Sequence, residues 1–135
     1  MKKYKFLPHT ADMKFQAFGK SLSECFSNAS YALAEIITKD KIKSVIKKKI
    51  KVKGKDKESL LYNFLEEFLF LLDSENFLLS KIEKIKINRF ELVADISGDN
   101  VKKYKTITDV KAITYNDMFV LKDKKGYKLQ VVVDV

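Results

Sequence analysis

The sequence contains one Cys, one Pro, one His, four Gly and no Trp among its 135 residues. Each scarcity removes a class of explanation. A single thiol, Cys25, excludes an internal disulfide framework and a thiolate zinc site. It sits among apolar helix positions, where Cys behaves as a small buried hydrophobe. The lone His9 cannot build a histidine metal cluster, and taken by itself it reads as a structural hydrogen-bonding residue. There is no Gly-x-Ser-x-Gly, no phosphate-cradling glycine loop and no Cys-x-x-Cys, so the usual nucleophile–base sets have no carriers. No apolar run approaches the roughly 20 residues of a membrane span. The start, Met1-Lys2-Lys3-Tyr4-Lys5, leads into no apolar signal-peptide core. A cytoplasmic protein that contacts no membrane is expected. Arginine is scarce as well: Arg89 is the only one, and every other basic side chain is Lys. Lysine binds phosphate as a point charge and lacks the bidentate fork that reads guanine.

What is present is apolar surface and positive charge. A hydrophobic content of 46% with 10 Phe suffices for a core in one domain spanning residues 1–135. The net charge is +9, and it is unevenly placed. Residues 39–57 hold 10 Lys and 2 Asp, whereas 21–38 and 58–80 hold no Lys or Arg. A basic segment beside acidic ones favours phosphate-bearing or acidic partners. The run 39–57 has no Phe, Tyr or Trp on which bases could stack, so loose phosphate contact or a solvated face are its two readings.

Periodicity supplies the elements. Lys2–Phe6 reads as a strand halted by Pro8, which has no N–H to donate. Met13, Phe15 and Ala17 alternate with Lys14, Gln16 and Phe18, predicting a second strand that ends at Gly19. Ser21 with Glu24 is a capping box, and Leu22, Cys25, Phe26, Ala29, Leu33, Ile36 and Ile37 place a helix over 22–38. Ser44–Lys53 reads as a strand with Ile46, Ile50 and Val52 inward. After Gly54, Asp56 caps a second helix whose apolar stripe runs from Leu60 to Leu72. From Phe77 onward only strands follow: Ile82–Ile87, a turn at Asn88-Arg89, Phe90–Ile96, Lys111–Leu121, a turn ending at Gly126, and Tyr127–Val135. The fold class is α+β, a two-layer sandwich of one mostly antiparallel sheet with two helices on one face.

Carboxylates are the remaining carriers of chemistry. Asp12 lies in the turn "HTAD", where alone it would serve as a turn-stabilising Asx residue. The end, "LQVVVDV", is an apolar strand interrupted by Asp134, so the side chain of Asp134 and the α-carboxylate of Val135 are adjacent anions. A hard divalent cation takes oxygen ligands of this kind, and three carboxylates converge if the sheet brings Asp12 beside the last strand. A frayed, solvated terminus is the other reading. Lys111, flanked by Val110, Ala112 and Ile113, is either a solvent-facing strand lysine or a cation placed to stabilise phosphate charge.

The sequence resembles the archease family nearly end to end. The resemblance rests on "HTAD", "SLSECFSNASYAL", "SLLYNFLEEFLFLLDSENFLL", "VKAITYNDMFV" and the closing "VVVDV", in that order and spacing. It implies a non-enzymatic cofactor that activates an RtcB-type tRNA-splicing ligase, promotes guanylylation of the ligase histidine and permits multiple turnover. Contact with tRNA halves would be indirect, through the ligase. It also implies a divalent metal, calcium first with magnesium or manganese as alternatives, held by Asp12, Asp134 and Val135, and a functionally important lysine at Lys111. The sequence departs from the family in three places. A common Gly-Glu pair is Gly98-Asp99, a frequent histidine is Asn116, and another histidine is absent near Tyr104 and Lys105. The alternative class is a basic RNA- or protein-binding chaperone acting through lysines 39–57, and a third reading is a metal hydrolase using the same carboxylates.

Overall fold

A computed structural model of the chain describes residues 2–8 and 11–135. The expected structural role of His9 therefore falls outside the described residues. Chain order begins with β1 (Tyr4–Leu7) and β2 (Met13–Gly19), followed by α1 (Leu22–Ile37), β3 (Ile46–Lys53) and α2 (Lys57–Glu75). Four strands complete it: β4 (Phe77–Asn88), β5 (Glu91–Asn100), β6 (Ala112–Asp123) and β7 (Gly126–Asp134), with a short 3-10 turn at Val101–Lys103. No helix among the described residues is long and apolar enough to cross a membrane.

The α+β class, the antiparallel pairing and the two helices are as the sequence implies. The strands, however, divide into two sheets rather than one. β1-β2-β7-β6 form a four-stranded sheet and β3-β5-β4 a three-stranded one. Both helices touch strands of both sheets: α1 packs on β1, β2, β7 and β4, and α2 on β3, β4, β5 and β6. A single apolar cluster runs through all of them, with Phe15, Phe26, Phe64, Leu92 and Leu129 at 0% exposure.

Local chemistry sets the helix limits. The Ser21 hydroxyl accepts from the Glu24 N–H at 3.1 Å, while the Glu24 carboxylate accepts from the Lys20 N–H at 2.8 Å. Both satisfy amides that the first turn leaves without helical partners. α1 ends at Ile37, and the Thr38 N–H still reaches the Ala34 carbonyl at 3.0 Å. In α2, Asp56 and Ser59 form a reciprocal capping box, and Asn76 closes the helix in the left-handed conformation at φ 56°, one that Asn adopts more readily than most residues. Arg89, at φ 55°, makes the β4–β5 turn.

Two strand expectations change. The expected core residue Ile46 is 36% exposed. It shares the inward face with Ile50 and Val52 but lies at the strand start, and Lys48 of the same face points its ammonium at Glu75 and over the Phe77 ring. The second change is in β6, whose pairing with β7 loses register between Thr114 and Phe119. Asp117 takes φ 54° in that bulge, and the side-chain alternation resets across it.

Candidate functional site

Strand register decides which distant residues meet. In the four-stranded sheet Met13 pairs with Val133, and Ala112 pairs with Asp134. Asp12 precedes Met13 and Asp134 follows Val133, so the two flank the last pair of this ladder. The Lys111 N–H donates to the Asp134 carbonyl at 2.8 Å. Asp12, Asp134 and Lys111 thus lie at one end of the sheet, at or just beyond the ends of β2, β7 and β6.

Alternation fixes the faces. Phe15, Ala17, Leu129, Val131 and Val133 point into the core, so Asp134 and, by continuation, Asp12 belong to the opposite face. Val135 falls by the same alternation on the helix side. Val135 is half-buried against the core cluster, whereas Lys111 and Asp134 are exposed and Asp12 is half-buried. Asp12 follows Ala11, whose φ of 65° lies in the left-handed region. That region costs a residue with a Cβ about 1–2 kcal/mol, and such strain concentrates at functional corners.

The donor set suits a hard cation, because it is made of oxygen. It is also short. Among the described residues no three His, Cys, Asp or Glu side chains gather to hold a metal ion. Asp12 and Asp134 supply two carboxylates. Calcium takes about six to eight oxygens and magnesium about six, so water or a partner's oxygens would fill most of the sphere.

A polar layer extends along the same face, and it is not legible in the sequence. Gln16 donates to Gln130 at 2.8 Å, and Gln130 donates to the Asp117 carbonyl at 2.8 Å. Lys14 lies 3.5 Å from the Asp117 carboxylate. Both glutamines are 8% exposed, and the Gln16 side-chain oxygen has no hydrogen-bond partner among the described residues. Period-2 alternation marks Lys14 and Gln16 only as pointing away from the core. The one local hint would have been an Asp able to take a positive φ, and Asp117 is such a residue.

The loop delivering Lys111 is pinned at several points. The Tyr104 hydroxyl donates to Asp99 at 2.7 Å, Thr38 donates to the Lys105 carbonyl at 2.6 Å, and the Ile107 N–H reaches the Ile37 carbonyl at 2.8 Å. The Tyr104 hydrogen bond, ahead of those from the Asn100 N–H and the Lys103 ammonium, holds the Asp99 carboxyl below its ordinary range. Asp99 is the acid of the Gly98-Asp99 pair. Its partner Gly98 is obligatory, because a Cβ there would meet the Leu78 carbonyl oxygen at 2.0 Å. Asn116 and Tyr115 lie exposed on the β6 bulge, with Tyr115 stacked on Tyr62 of α2 at 4.3 Å.

Cys25 is structural. It is 0% exposed, its thiol approaches the Ala17 carbonyl at 3.4 Å, and burial pushes its pKa up to about 12. The lysine run does not act as one patch either. Lys48 turns inward, Lys39 pairs with Glu35, and Lys57 stands over the Tyr127 ring.

Comparison with known proteins agrees with this architecture. The sequence pattern of the Archease protein family (MTH1598/TM1083) matches residues 4–135. A protein archease of Methanosarcina barkeri is 36% identical over 99% of this chain and 97% of its own length. An archease-like protein of Drosophila melanogaster is also 36% identical, over 98% and 90%. The solution structure of Methanobacterium thermoautotrophicum protein 1598 superposes with a TM-score of 0.87 at 33% identity, covering both chains completely. An archease from Thermotoga maritima, described as a possible chaperone, shares the fold with a TM-score of 0.67 at 23% identity, over 97% of this chain and 96% of its own. With the family pattern spanning nearly the whole chain and these relatives in agreement, the chain belongs to the archease family.

Proposed function

We propose that this protein is a non-catalytic activator of an RtcB-type RNA ligase, promoting guanylylation of the ligase and its repeated turnover in tRNA splicing. The observation that supports the reading is that Asp12 and Asp134 flank the Met13–Val133 pair at the end of the β2–β7 ladder, with the Lys111 N–H on the Asp134 carbonyl. Asp12, Asp134 and the α-carboxylate of Val135 hold a divalent ion, calcium first and magnesium or manganese as alternatives. Such an ion, when bound, neutralises charge that develops on a transferred phosphate. Lys111 adds a second positive charge from the rim of the same sheet end, available to a nucleotide phosphate without any covalent step. The chemistry itself stays with the ligase. The archease fold supports the reading, and the description of the Thermotoga protein as a possible chaperone is compatible with a helper role.

The test combines the full chain, its cognate ligase and GTP under conditions where the ligase alone stalls. Turnover should rise on addition of the wild type and fall at least tenfold toward the unassisted rate with Asp12→Ala. No gain, or an equal gain with the variant, sinks the idea. Metal binding is read separately by calorimetry with calcium. Residues added after Val135 carry the terminal charge away from Asp134, and should weaken calcium binding while leaving the circular dichroism spectrum unchanged.

A further inference from the structure

The three-stranded sheet has a second face, turned away from both helices, that the ligase reading does not use. Ile50, Val52, Leu92, Ala94, Ile96 and Ile82 fill the inner face. The register then assigns the outer one. Lys47, Lys49, Lys51 and Lys53 of β3 align with Ser97, Asp95, Val93 and Glu91 of β5. From the other side, Lys81, Lys84 and Lys86 of β4 align with Ser97, Asp95 and Val93. The result is two lysine rails flanking a central strand. Lysines along the β3 rail recur every second residue, about 6.7 Å apart, the β4 rail keeps the same partners across a bulge between Ile82 and Lys84, and the rails run two strand spacings apart, about 9.6 Å. All seven lysines are exposed.

Three carboxylates share this face. Asp95 lies 3.7 Å from Lys49, Glu91 3.3 Å from Lys53, and Glu83 3.6 Å from Lys81. These pairs are solvent-exposed and therefore weak and exchangeable. Lys47, Lys51, Lys84 and Lys86 have no carboxylate within ion-pair distance among the described residues. Beyond the β4 edge the basic surface continues into an open cleft of about 540 Å³, lined in part by Lys2, Lys3, Lys20 and Lys84.

We propose that this face docks the sugar–phosphate backbone of a nucleic acid without reading its bases. Charge complementarity selects an anionic partner, and composition selects which kind. A protein interface needs buried apolar or aromatic anchors, and the paired positions of this face offer only Val93. Base recognition would need arginine forks or aromatic platforms, and the face has neither. A lysine array is suited to repeated point charges, with counterion release as the driving force. Six of the ten lysines in 39–57 lie off this surface, while the β4 lysines, from residue 81 onward, complete it. The proposal stands independently of the ligase reading.

The test is fluorescence anisotropy of the full chain with a short labelled single-stranded RNA of mixed sequence, titrated with salt between about 50 and 200 mM. The expected result is binding that weakens log-linearly with salt and does not change when the RNA sequence is permuted. The combined variant Lys47→Gln, Lys51→Gln, Lys84→Gln, Lys86→Gln should bind at least tenfold more weakly and lower the salt slope by about three, near 0.7 per lost phosphate contact. The variant Glu91→Gln, Asp95→Asn should bind more tightly, an effect that misfolding would not produce. A loop control, Lys41→Gln, Lys43→Gln, Lys55→Gln, should change affinity little. The proposal is overturned by absent binding at the low-salt end, by an unchanged slope in the four-lysine variant, by an equal loss in the loop control, or by equally tight binding of polyglutamate.

Discussion

Ala11 holds a backbone conformation at φ 65° that suits glycine better than alanine. Relief of about 1–2 kcal/mol of strain is set against the extra chain entropy of glycine, about 0.5–1 kcal/mol. Ala11→Gly should therefore raise stability by up to about 1 kcal/mol, read as a higher urea midpoint with an unchanged slope; a lower midpoint would contradict the strain. Cys25 makes the opposite kind of statement. Its thiol, raised to about 12 by burial and then by the neighbouring Glu24 charge, stays protonated and covered. A disulfide reagent should leave the native protein unlabelled and titrate one thiol in urea. Asp99 is the third residue-scale case. Its carboxyl is lowered by the Tyr104 hydrogen bond first, so the ionised form is favoured in the native state. The stabilisation is complete well above the unfolded value of about 3.9 and is lost as pH falls through that value toward the lowered native one. Acid titration of wild type against Asp99→Asn should show the wild-type advantage at pH 7 shrinking below about pH 4.

Among the elements, α2 shows how much of a helix is readable and where reading stops. The Asp56 cap and the stripe from Leu60 to Leu69 follow from spacing and residue type. The ring arrangement does not. Phe64 stacks against Phe26 of α1 at 5.8 Å and meets Phe68 edge-on at 5.0 Å, which makes it the joint between the two helices. Phe64→Ala should cost about 3–5 kcal/mol, measured by denaturant unfolding; a cost below about 1 kcal/mol would mean the core collapses around the gap. Strands are less legible than helices. β2, β5 and β7 alternate cleanly and lie close to where the pattern puts them, but Lys48 occupies an inward position by snorkelling to Glu75. The β6 bulge at Tyr115–Asp117 leaves no trace in the alternation, because a bulge is defined by the partner strand's register rather than by its own sequence.

Across the whole molecule, the two sheets separate the two proposed sites. The end of the four-stranded sheet gathers the oxygen donors, and the outer face of the three-stranded sheet gathers the lysines. If they are independent, Asp12→Ala should abolish calcium binding without altering RNA affinity, and the four-lysine variant should do the reverse. Calorimetry and anisotropy on the same two proteins decide this, and a cross-effect in either direction would show that the surfaces are coupled.

The sequence by itself determined the helices, most strands, the antiparallel α+β class, the structural role of Cys25 and the residue types available to a metal or a phosphate. These depend on neighbours a few positions away, through capping hydrogen bonds, periodicity and side-chain volume. It also pointed to Asp12, Asp134, Val135 and Lys111 as candidates, yet left a frayed terminus as an equal reading. Only the tertiary structure paired Met13 with Val133, the pair that Asp12 and Asp134 flank, because that register is fixed by the burial of Phe15, Ala17, Leu129 and Val131 on one side of the paired strands. It alone divided the strands into two sheets, buried Gln16 and Gln130 on the outer face, and split the lysine run. Long-range pairing is chosen by the total apolar surface a register can bury, a quantity that no local stretch of sequence contains.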